Sequence, residues 1–374
     1  MHISYFYDLP LPSPFAAPIQ ILQTCHALCR QGLSVTVYVN RLRASPEACL
    51  AYYGLSPLPG LQIVPWFGGL WQKIARGRAL RAVLAAEQEQ HIVMSRGETG
   101  IALFARLRGH IKRPQQRYVY EAHRLCFSEA TRLRWRVRHH EQYAVESADG
   151  LVCLTEGVTA ALRREFNVHA PLLVLPSASA VPAQAPADDT ARDIDIIYAG
   201  KLDRRKGVYD LLHALALLPG RRLWLVGGTV AQVSTLKQHA EQIGVAERVI
   251  FTGYLAPDAL PSLYRRARVG TCPLPVGESA IAEQFTSPLK VVEMMAYGVP
   301  IVGSDLPTLQ AILCHEQTAL LTPPSDAPAL AAAIARLLDD RFLAQRLAQA
   351  AYQHSHNFSW ERRAQRLRAF LCDL

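Results

Sequence analysis

The sequence has 374 residues, of which 50% are hydrophobic and 19% charged, and its formal net charge is +9. This length exceeds what one ordinary hydrophobic core encloses, so we expect two domains, and the composition excludes a disordered protein. No apolar run is long enough to span a bilayer and no signal-peptide pattern opens the chain, which predicts a cytoplasmic protein.

The positive charge lies almost wholly in the first half of the chain. Up to residue 175 there are 20 Lys and Arg against 12 Asp and Glu, whereas the remainder has 20 against 19. Such a surplus predicts an anionic partner, either a phosphorylated metabolite or an acidic lipid surface. Because no helix-turn-helix, zinc-finger or aromatic RNA-binding pattern accompanies the charge, we expect no nucleic-acid partner.

The eight cysteines are scattered, mostly within apolar patterns, and we expect buried, reduced thiols. Cys25, His26 and Cys29 lie close together, but no second ligand pair with suitable spacing follows them. The sequence therefore predicts no metal site.

Short apolar strands alternate with helical patterns through the first half. One such helix is predicted over Ile19–Arg30. The strands are predicted at His2–Tyr7, Val35–Val39, Gln62–Trp66, His91–Ser95, Arg117–Ala122, Leu151–Thr155 and Leu172–Leu175. This alternation predicts a doubly wound parallel sheet, whose ligands collect at the carboxyl ends of the strands.

Polar residues follow three of these strands. The first strand leads into a Pro-rich loop over Asp8–Pro18, and Arg96 follows the strand that ends at Ser95. His123 and Arg124 directly follow the strand that ends at Ala122. An imidazole can bind a sugar hydroxyl and a guanidinium can bind an anion, so Arg96 and Arg124 are candidate acceptor contacts. The alternatives are a structural histidine and surface arginines.

Two stretches mix Trp and aliphatic residues with Arg, namely Leu70–Arg81 and Thr131–His140. Helices of this composition lie on anionic membranes, which would place the protein peripherally on the inner membrane face. The alternative is a solvated helix face whose Trp packs inward.

Residues 177–193 are rich in Ala, Ser and Pro and lack periodicity, which predicts a linker between an N-terminal domain over 1–176 and a second domain over 194–359. A second αβ series begins there. Its strands are predicted at Ile194–Gly200, Leu223–Val226, Val249–Gly253, Val269–Pro273, Val299–Gly303 and Ala319–Leu321.

The stretch Phe285–Asp305 is the most informative part of the second domain. Ser287 is suited to cap a helix and Pro288 to occupy its first position, while Gly298 is suited to end it. The start of such a helix presents free N–H groups to a phosphate or a polar sugar. Glu293, one turn further along, can reach a ribose hydroxyl pair.

The sequence Ser-Pro-Leu-Lys-x-x-Glu-x-Met-Ala-x-Gly-x-Pro-Ile-Val in this stretch resembles the signature of family 4, the retaining nucleotide-sugar-dependent glycosyltransferases. The resemblance implies the GT-B fold, in which an acceptor-binding and a donor-binding Rossmann-like domain face a central cleft. It also implies that the last helix, within residues 360–374, packs back on the first domain.

The same resemblance assigns roles to individual residues. Glu293 matches the second glutamate of the family's E-x7-E pair, whereas Phe285 occupies the first position, and Glu278 and Glu283 lie upstream out of register. The segment Gly200-Lys-Leu-Asp-Arg-Arg-Lys206-Gly207 resembles the family's diphosphate loop, with Lys201 in place of an arginine. The catalytic candidates are His123 (from a Tyr-Glu-x-His strand end), Lys201 and Lys206. The donor-binding candidates are Gly200, Gly253, Tyr254, Phe285, Thr286, Ser287, Pro288, Leu289 and Glu293. Ala17, at the place of a glycine pair in the family, joins Arg96 and Arg124 as an acceptor-binding candidate.

The resemblance implies a metal-independent transfer, without a cofactor, of a hexose, with glucose the first choice, from a UDP-sugar to a hydroxyl acceptor with retention. A sugar phosphate, as in sucrose-phosphate synthases, suits the Arg-rich first domain. One alternative is a lipid-linked or lipopolysaccharide acceptor at the membrane surface. The others are a non-catalytic nucleotide-sugar binding protein and a GT-B epimerase or phosphorylase.

Overall fold

The computed structural model describes residues 1–65, 90–97, 115–129, 134–184 and 192–374. The predicted basic stretch Leu70–Arg81 lies outside these residues, as do Trp66, residues 131–133 of the second basic stretch, and part of the predicted linker. The chain divides into two compact units, one formed by Met1–Pro176 with Trp360–Leu374 and the other by Ser177–Ser359.

The first unit contains a parallel sheet of seven described strands in the order β3-β2-β1-β4-β5-β6-β7. The strands are β1 His2–Leu11, β2 Ser34–Leu42, β3 Leu61–Pro65, β4 His91–Arg96, β5 Gln116–Ala122, β6 Gly150–Cys153 and β7 Leu172–Val174. The strand order reverses between β1 and β4, and this is the point where sheets of this class bind ligands. The predicted doubly wound sheet is confirmed.

Helices connect these strands. They are α1 Ala16–Arg30, α2 Pro46–Tyr52, α3 Cys126–Glu129, α4 Arg134–Glu146 and α5 Glu156–Glu165. The Ser45 hydroxyl caps α2 by accepting the N–H of Ala48, and the Thr155 hydroxyl caps α5 by accepting the N–H of Val158.

The predicted Pro-rich loop over Asp8–Pro18 is too long, because the structure leaves only residues 12–15 between β1 and α1. Strand β1 continues to Leu11, which pairs with Leu42 of β2 after an irregularity in the register, whereas its pairing with β4 ends at Tyr7. The strand is therefore paired on one side only beyond Tyr7, where a proline is tolerated. Helix α1 begins at Ala16 rather than Ile19 because Pro18 lies in its first turn, where no backbone N–H is needed.

The second unit contains a parallel sheet of six described strands in the order β10-β9-β8-β11-β12-β13. They are β8 Ile194–Ala199, β9 Leu223–Val226, β10 Val249–Gly253, β11 Ala267–Cys272, β12 Ile301–Ser304 and β13 Leu320–Thr322. Each lies within two residues of its predicted bounds. Buried aliphatic clusters cover both faces of the sheet, which explains the continuous apolar runs of these strands.

The helices of the second unit are α6 Val208–Ala216, α7 Val230–Gln242, α8 Leu260–Arg266, α9 Ala280–Gln284, α10 Leu289–Ala296, α11 Pro307–Gln310, α12 Ala327–Asp339 and α13 Arg341–Ser355. Thr229 and Gln232 form a reciprocal capping box on α7, and Asp326 and Asp340 cap α12 and α13.

The last helix, α14 Trp360–Cys372, belongs to the first unit. It packs along α1, where Arg363 donates to the Thr24 hydroxyl at 3.0 Å and Arg30 pairs with Glu361 at 3.1 Å. The chain end packs against the start of β6, since a Cβ on Gly150 would lie only 2.8 Å from Leu374 Cδ1.

All eight cysteines are free, and Cys314 and Cys372 are exposed rather than buried. Among the described residues, no group of three or more His, Cys, Asp or Glu is arranged to hold a metal ion. Within the same part of the chain, every helix is too short or too polar to cross a bilayer.

A buried polar cluster surrounds His91 at the amino end of the first sheet. The ring of His91 lies 2.9 Å from the Ser4 hydroxyl through Nε2 and 3.4 Å from the Gln116 amide through Nδ1. Burial, together with the charge of nearby His2, lowers the pKa of His91 to about 4.

We predict that His91 makes stability depend on pH. Because its pKa lies below the 6.5 of an unfolded histidine, the unfolded state binds the proton first as pH falls. The contribution is complete above about pH 6.5, and about 2 kcal/mol of it is lost between pH 7 and 5. Urea unfolding at both pH values should show this extra loss in wild type and in the control variant His169→Gln, which changes an exposed histidine, but not in His91→Gln. Equal losses in all three proteins would contradict the prediction.

Candidate active site

The loop after β8 is held against the carboxyl edge of the second sheet by backbone contacts. Gly200 has φ +143° and donates its N–H to Val226 O at 2.8 Å, while the Tyr198 hydroxyl donates to Lys201 O at 2.8 Å. Gly207 has φ +69°, and a Cβ there would lie 1.5 Å from Pro273 O. Only glycine fits at position 207, so the loop is fixed to the end of β11.

The cations of this loop differ in exposure. Lys201, Arg204 and Arg205 are exposed. Arg204 lies over the Tyr209 ring and Arg205 pairs with Asp203. Lys206 is half-buried, and removal from water lowers the pKa of its amine. Its burial distinguishes Lys206 from the other cations of the loop.

The ends of β9 and β10 meet this loop at the same edge. A Cβ on Gly227 would lie 2.3 Å from Gly200 O, and the Gly227 N–H donates to Gly253 O at 2.8 Å. Gly253 has φ +69°, and Tyr254, which follows it, is 47% exposed. The structure therefore brings the predicted donor-site residues Gly200, Gly253 and Tyr254 to one end of the sheet.

The predicted start of α10 is wrong by one residue. Pro288 is the N-cap and Leu289 the first helical residue, and no side chain caps the helix. The Ser287 hydroxyl instead accepts the N–H of Ser177 at 3.0 Å, and the Ser177 hydroxyl donates to Ser287 O at 2.6 Å. Ser287 is buried and thus ties the start of this unit to α10, while Thr286 and Leu289 are half-buried.

The two glutamates upstream of Phe285 have different environments. Phe285 is buried at the end of α9. The carboxylate of Glu283 accepts the N–H of Gly277 at 2.8 Å and so closes its own loop, while Glu278 is exposed.

Glu293 is held by Tyr264. The Tyr264 hydroxyl donates to Glu293 Oε2 at 3.2 Å, and the Tyr264 ring stacks on Tyr297 with the centroids 6.2 Å apart. Burial raises the pKa of Glu293, although the Tyr264 hydrogen bond and the charge of Lys290 act in the opposite direction. The other carboxylate oxygen, Oε1, can accept a hydrogen bond from a ligand hydroxyl group.

Lys290 lies at the same edge and was not among the predicted site residues. Its amine is shielded from solvent and lies 3.5 Å from the centroid of the Tyr198 ring. The amine also lies against the Gly200 loop, because a Cβ on Gly200 would lie 3.0 Å from Nζ. Only the structure shows this proximity.

In the first unit, the carboxylate of Glu121 organises the ends of the central strands. It accepts hydrogen bonds from the Tyr5 hydroxyl at 2.5 Å and from Arg363 Nη2 at 2.9 Å. Burial alone would raise the pKa of Glu121, but His123, Arg363 and Arg96 together outweigh burial and hold the pKa below its usual range. Glu121 is therefore a buried anion.

His123 lies beside this anion. Its Nε2 is 2.9 Å from Glu121 Oε1, and burial, followed by the charge of Arg96, lowers the pKa of His123 to about 4. The neutral ring donates its Nε2–H to the carboxylate, which leaves Nδ1 as a hydrogen-bond acceptor. The arrangement suits contact with a hydroxyl group.

The predicted acceptor residues of this unit have different environments. Arg96 donates to the Gln20 side chain at 3.3 Å and is half-buried, whereas Arg124 is exposed. Burial raises the pKa of Tyr7 to about 12, and the charges of both arginines oppose this, which places all three side chains in one neighbourhood. Ala17 lies in the first turn of α1 rather than in a loop.

Glu121 and Arg363 were not among the predicted site residues. Glu121 belongs to the Tyr-Glu-x-His strand end, so its position was a usable signal. Arg363 carried none, because it is one of several arginines in a polar helix, and only the fold shows that it is 4% exposed.

Two family models match most of the chain. The model described as "Glycosyl transferases group 1" matches residues 193–340, and the model described as "Glycosyl transferase 4-like domain" matches residues 17–178.

Curated relatives include D-inositol 3-phosphate glycosyltransferases. The one from Corynebacterium urealyticum is 29% identical over 252 residues, which cover 61% of this chain and 57% of that protein. The one from Corynebacterium efficiens is 24% identical over 400 residues, covering 93% of this chain and 88% of that protein.

Solved structures of similar fold include a sucrose-phosphate synthase from Thermosynechococcus elongatus, with TM-score 0.80 and 21% identity over 100% of this chain and 98% of that chain. Anabaena HepE in complex with UDP-glucose gives TM-score 0.77 and 17% identity, and both chains are covered completely. The predicted GT-B fold of two Rossmann-like domains is confirmed.

We predict that Arg363→Met destabilises the protein by about 3–5 kcal/mol, because it leaves the Glu121 carboxylate buried without its cation. Adding Glu121→Gln should recover much of this loss, which urea unfolding of the single and double variants can measure. Equal stability of Arg363→Met and the wild type would contradict a buried ion pair.

Proposed function

The chain belongs to the group 1 glycosyltransferases, and we propose that it transfers a hexose, most simply glucose, from a UDP-sugar to a hydroxyl group of a phosphorylated acceptor. One observation carries the proposal. The charges of Lys206 and Glu293 both act on the amine of Lys290, which lies against the Gly200 loop at the carboxyl edge of the second sheet. This edge is where doubly wound sheets bind nucleotides.

Lys201 and Lys206 are proposed to bind the donor diphosphate. Bond cleavage at the sugar concentrates negative charge on the leaving diphosphate, so cations fixed there stabilise the transition state more than the bound donor. The partial burial of Lys206 strengthens this interaction, because water screens it less. Lys201 provides a single ammonium where the family has a bidentate arginine.

Glu293 is proposed to accept hydrogen bonds from the ribose hydroxyls. Tyr264 occupies Oε2 and thereby orients the carboxylate, with Oε1 left for the ligand. Gly253 and Tyr254 are assigned to the base and its surroundings. The choice of UDP-glucose is supported by its presence in the structure of Anabaena HepE, which has the same fold.

In the first unit, His123 is proposed to accept a hydrogen bond from a substrate hydroxyl through Nδ1, with Glu121 holding the ring. Arg96 and Arg124 are proposed to bind the phosphate of the acceptor. The names of the Corynebacterium relatives and of the sucrose-phosphate synthase support a phosphorylated acceptor.

Retention at the anomeric carbon and independence from a metal ion are proposed from the family resemblance. In a retaining transfer without a covalent intermediate, the acceptor hydroxyl attacks on the face that the diphosphate leaves. The departing phosphate can then accept the hydroxyl proton, so no separate general base is required.

A second candidate function is transfer to a lipid-linked or lipopolysaccharide acceptor by a protein peripherally bound to an anionic membrane. It is favoured by α4, on which Trp135 is 70% exposed between the exposed Arg134 and Arg136. An indole flanked by guanidinium groups suits the interface of an anionic membrane.

We predict that Glu293 makes the protein discriminate ribose from deoxyribose. Calorimetric titration should show wild type binding UDP at least about tenfold more tightly than dUDP, since a carboxylate–hydroxyl bond contributes about 1.5–3 kcal/mol. Glu293→Ala should lose this preference, whereas the exposed Glu241→Ala should retain it. A preference for another nucleoside diphosphate would overturn the choice of uridine, and no binding of any nucleoside diphosphate would overturn the donor site.

We predict that Arg124→Ala raises the acceptor KM about tenfold with little change in kcat, because the arginine binds the acceptor phosphate away from the reacting atoms. The assay supplies UDP-glucose with fructose 6-phosphate or inositol phosphate, and the exposed Arg163→Ala is the control. An unchanged KM would refute the role of Arg124. Activity confined to lipid acceptors, with flotation on anionic liposomes that Trp135→Ala abolishes, would favour the second candidate.

A further inference from the structure

The family resemblance gives Lys290 no role, yet its amine occupies an unusual environment. Among the described residues, Lys290 Nζ is shielded from solvent and has no hydrogen-bond partner. It lies 3.5 Å from the centroid of the Tyr198 ring, which is itself fully buried. An ammonium has three N–H donors, and an aromatic face compensates only partly for lost water. The site therefore lacks an anion.

The amine lies at the loop that begins with Gly200. It would be 3.0 Å from a Cβ at that glycine, so the lack of a side chain at position 200 allows the amine to lie against the loop. The half-buried Lys206 is near enough for its charge to lower the pKa of Lys290. Two neighbouring amines suit a polyanion better than a single carboxylate.

The neighbouring carboxylates are not bonded to this amine. Asp203 accepts a hydrogen bond from Arg205 through Oδ2 at 3.1 Å, while its buried Oδ1 has no hydrogen-bond partner among the described residues. Glu293 accepts a hydrogen bond from Tyr264 at 3.2 Å. Neither is hydrogen-bonded to Lys290. No resident group of the described chain thus satisfies the lysine.

We propose that the amine of Lys290 binds the diphosphate of the nucleotide-sugar donor, as a third lysine beside Lys201 and Lys206. The proposal rests on the proposed function and adds a specific phosphate contact to it. The contact comes from α10 itself, one residue after the helix begins, where free backbone N–H groups also favour an anion.

Binding through this amine is coupled to a proton. Burial and, to a smaller extent, the charge of Lys206 lower the pKa of Lys290 to about 7. Cys272, Glu293 and Asp203 act on this pKa in the opposite direction. Tyr198 is the remaining group that faces the amine, through its ring. At pH 8 the free amine is largely neutral, and an adjacent diphosphate favours its charged form. Donor binding at pH 8 therefore takes up close to one proton, and affinity falls as pH rises above about 7.

The test is calorimetric titration with UDP and with uridine at pH 8, in two buffers of different ionisation enthalpy, which reports proton uptake. Wild type should take up a proton with UDP and none with uridine. Lys290→Met should bind UDP about tenfold more weakly with the uptake lost, and bind uridine as wild type does. Lys290→Arg should bind UDP without uptake, and the exposed Lys237→Met should match wild type.

Unchanged UDP affinity in Lys290→Met, with wild type taking up no proton, would overturn the role of Lys290 and leave the donor site standing. A wild type that binds no UDP would instead overturn the proposed function. If Lys290→Met does not fold, as judged by near-ultraviolet circular dichroism, Lys290→Arg decides: proton uptake equal to that of wild type would overturn the role of Lys290, and its loss would support it.

Discussion

The close approach of glycine backbone to carbonyl oxygens fixes the carboxyl edge of the second sheet. Gly207 lies against Pro273 O and Gly227 against Gly200 O, where a Cβ would come within 1.5 and 2.3 Å. Any other residue would push these loops off the strand ends. Because the loops lie so close, the amines of Lys206 and Lys290 lose water, and burial lowers the pKa of each. The anion site that we propose at this edge therefore depends on these glycine contacts.

In the first unit, a buried ion pair between Arg363 and Glu121 holds the charged groups in place. Arg363 donates to the carboxylate of Glu121 and also to the carbonyls of Leu175 and Pro176, at 2.6 and 2.5 Å. All these partners lie on the first-unit sheet or directly after its last strand, so one side chain attaches the last helix to that sheet and keeps Glu121 ionised. The ionised carboxylate in turn sets the tautomer of His123. A substitution of Arg363 in the last helix would therefore change the hydrogen bonding of His123, although the two side chains are linked only through Glu121.

Local patterns account for the parts of this molecule that depend on local physics. Apolar runs located the strands of both sheets, and the loop of Gly200 and Lys206 was found from its resemblance to the diphosphate loop of the family. The partners that are remote in sequence could not be found. Ser287 meets Ser177 across 110 residues, which overrides its capping preference. Lys290 has an ordinary helical spacing, and only the fold shows that Tyr198 and the glycine loop enclose it.

The central claim is that the carboxyl edge of the second sheet binds the uridine diphosphate portion of a donor. Hydrogen exchange of wild type with and without UDP, followed peptide by peptide, tests it most directly, because a ligand protects the backbone amides that it covers or stabilises. UDP should add protection in peptides that contain residues 200–207, 227–229 and 285–293. Protection confined to the unit of residues 1–176, or no protection in these three segments, would contradict it.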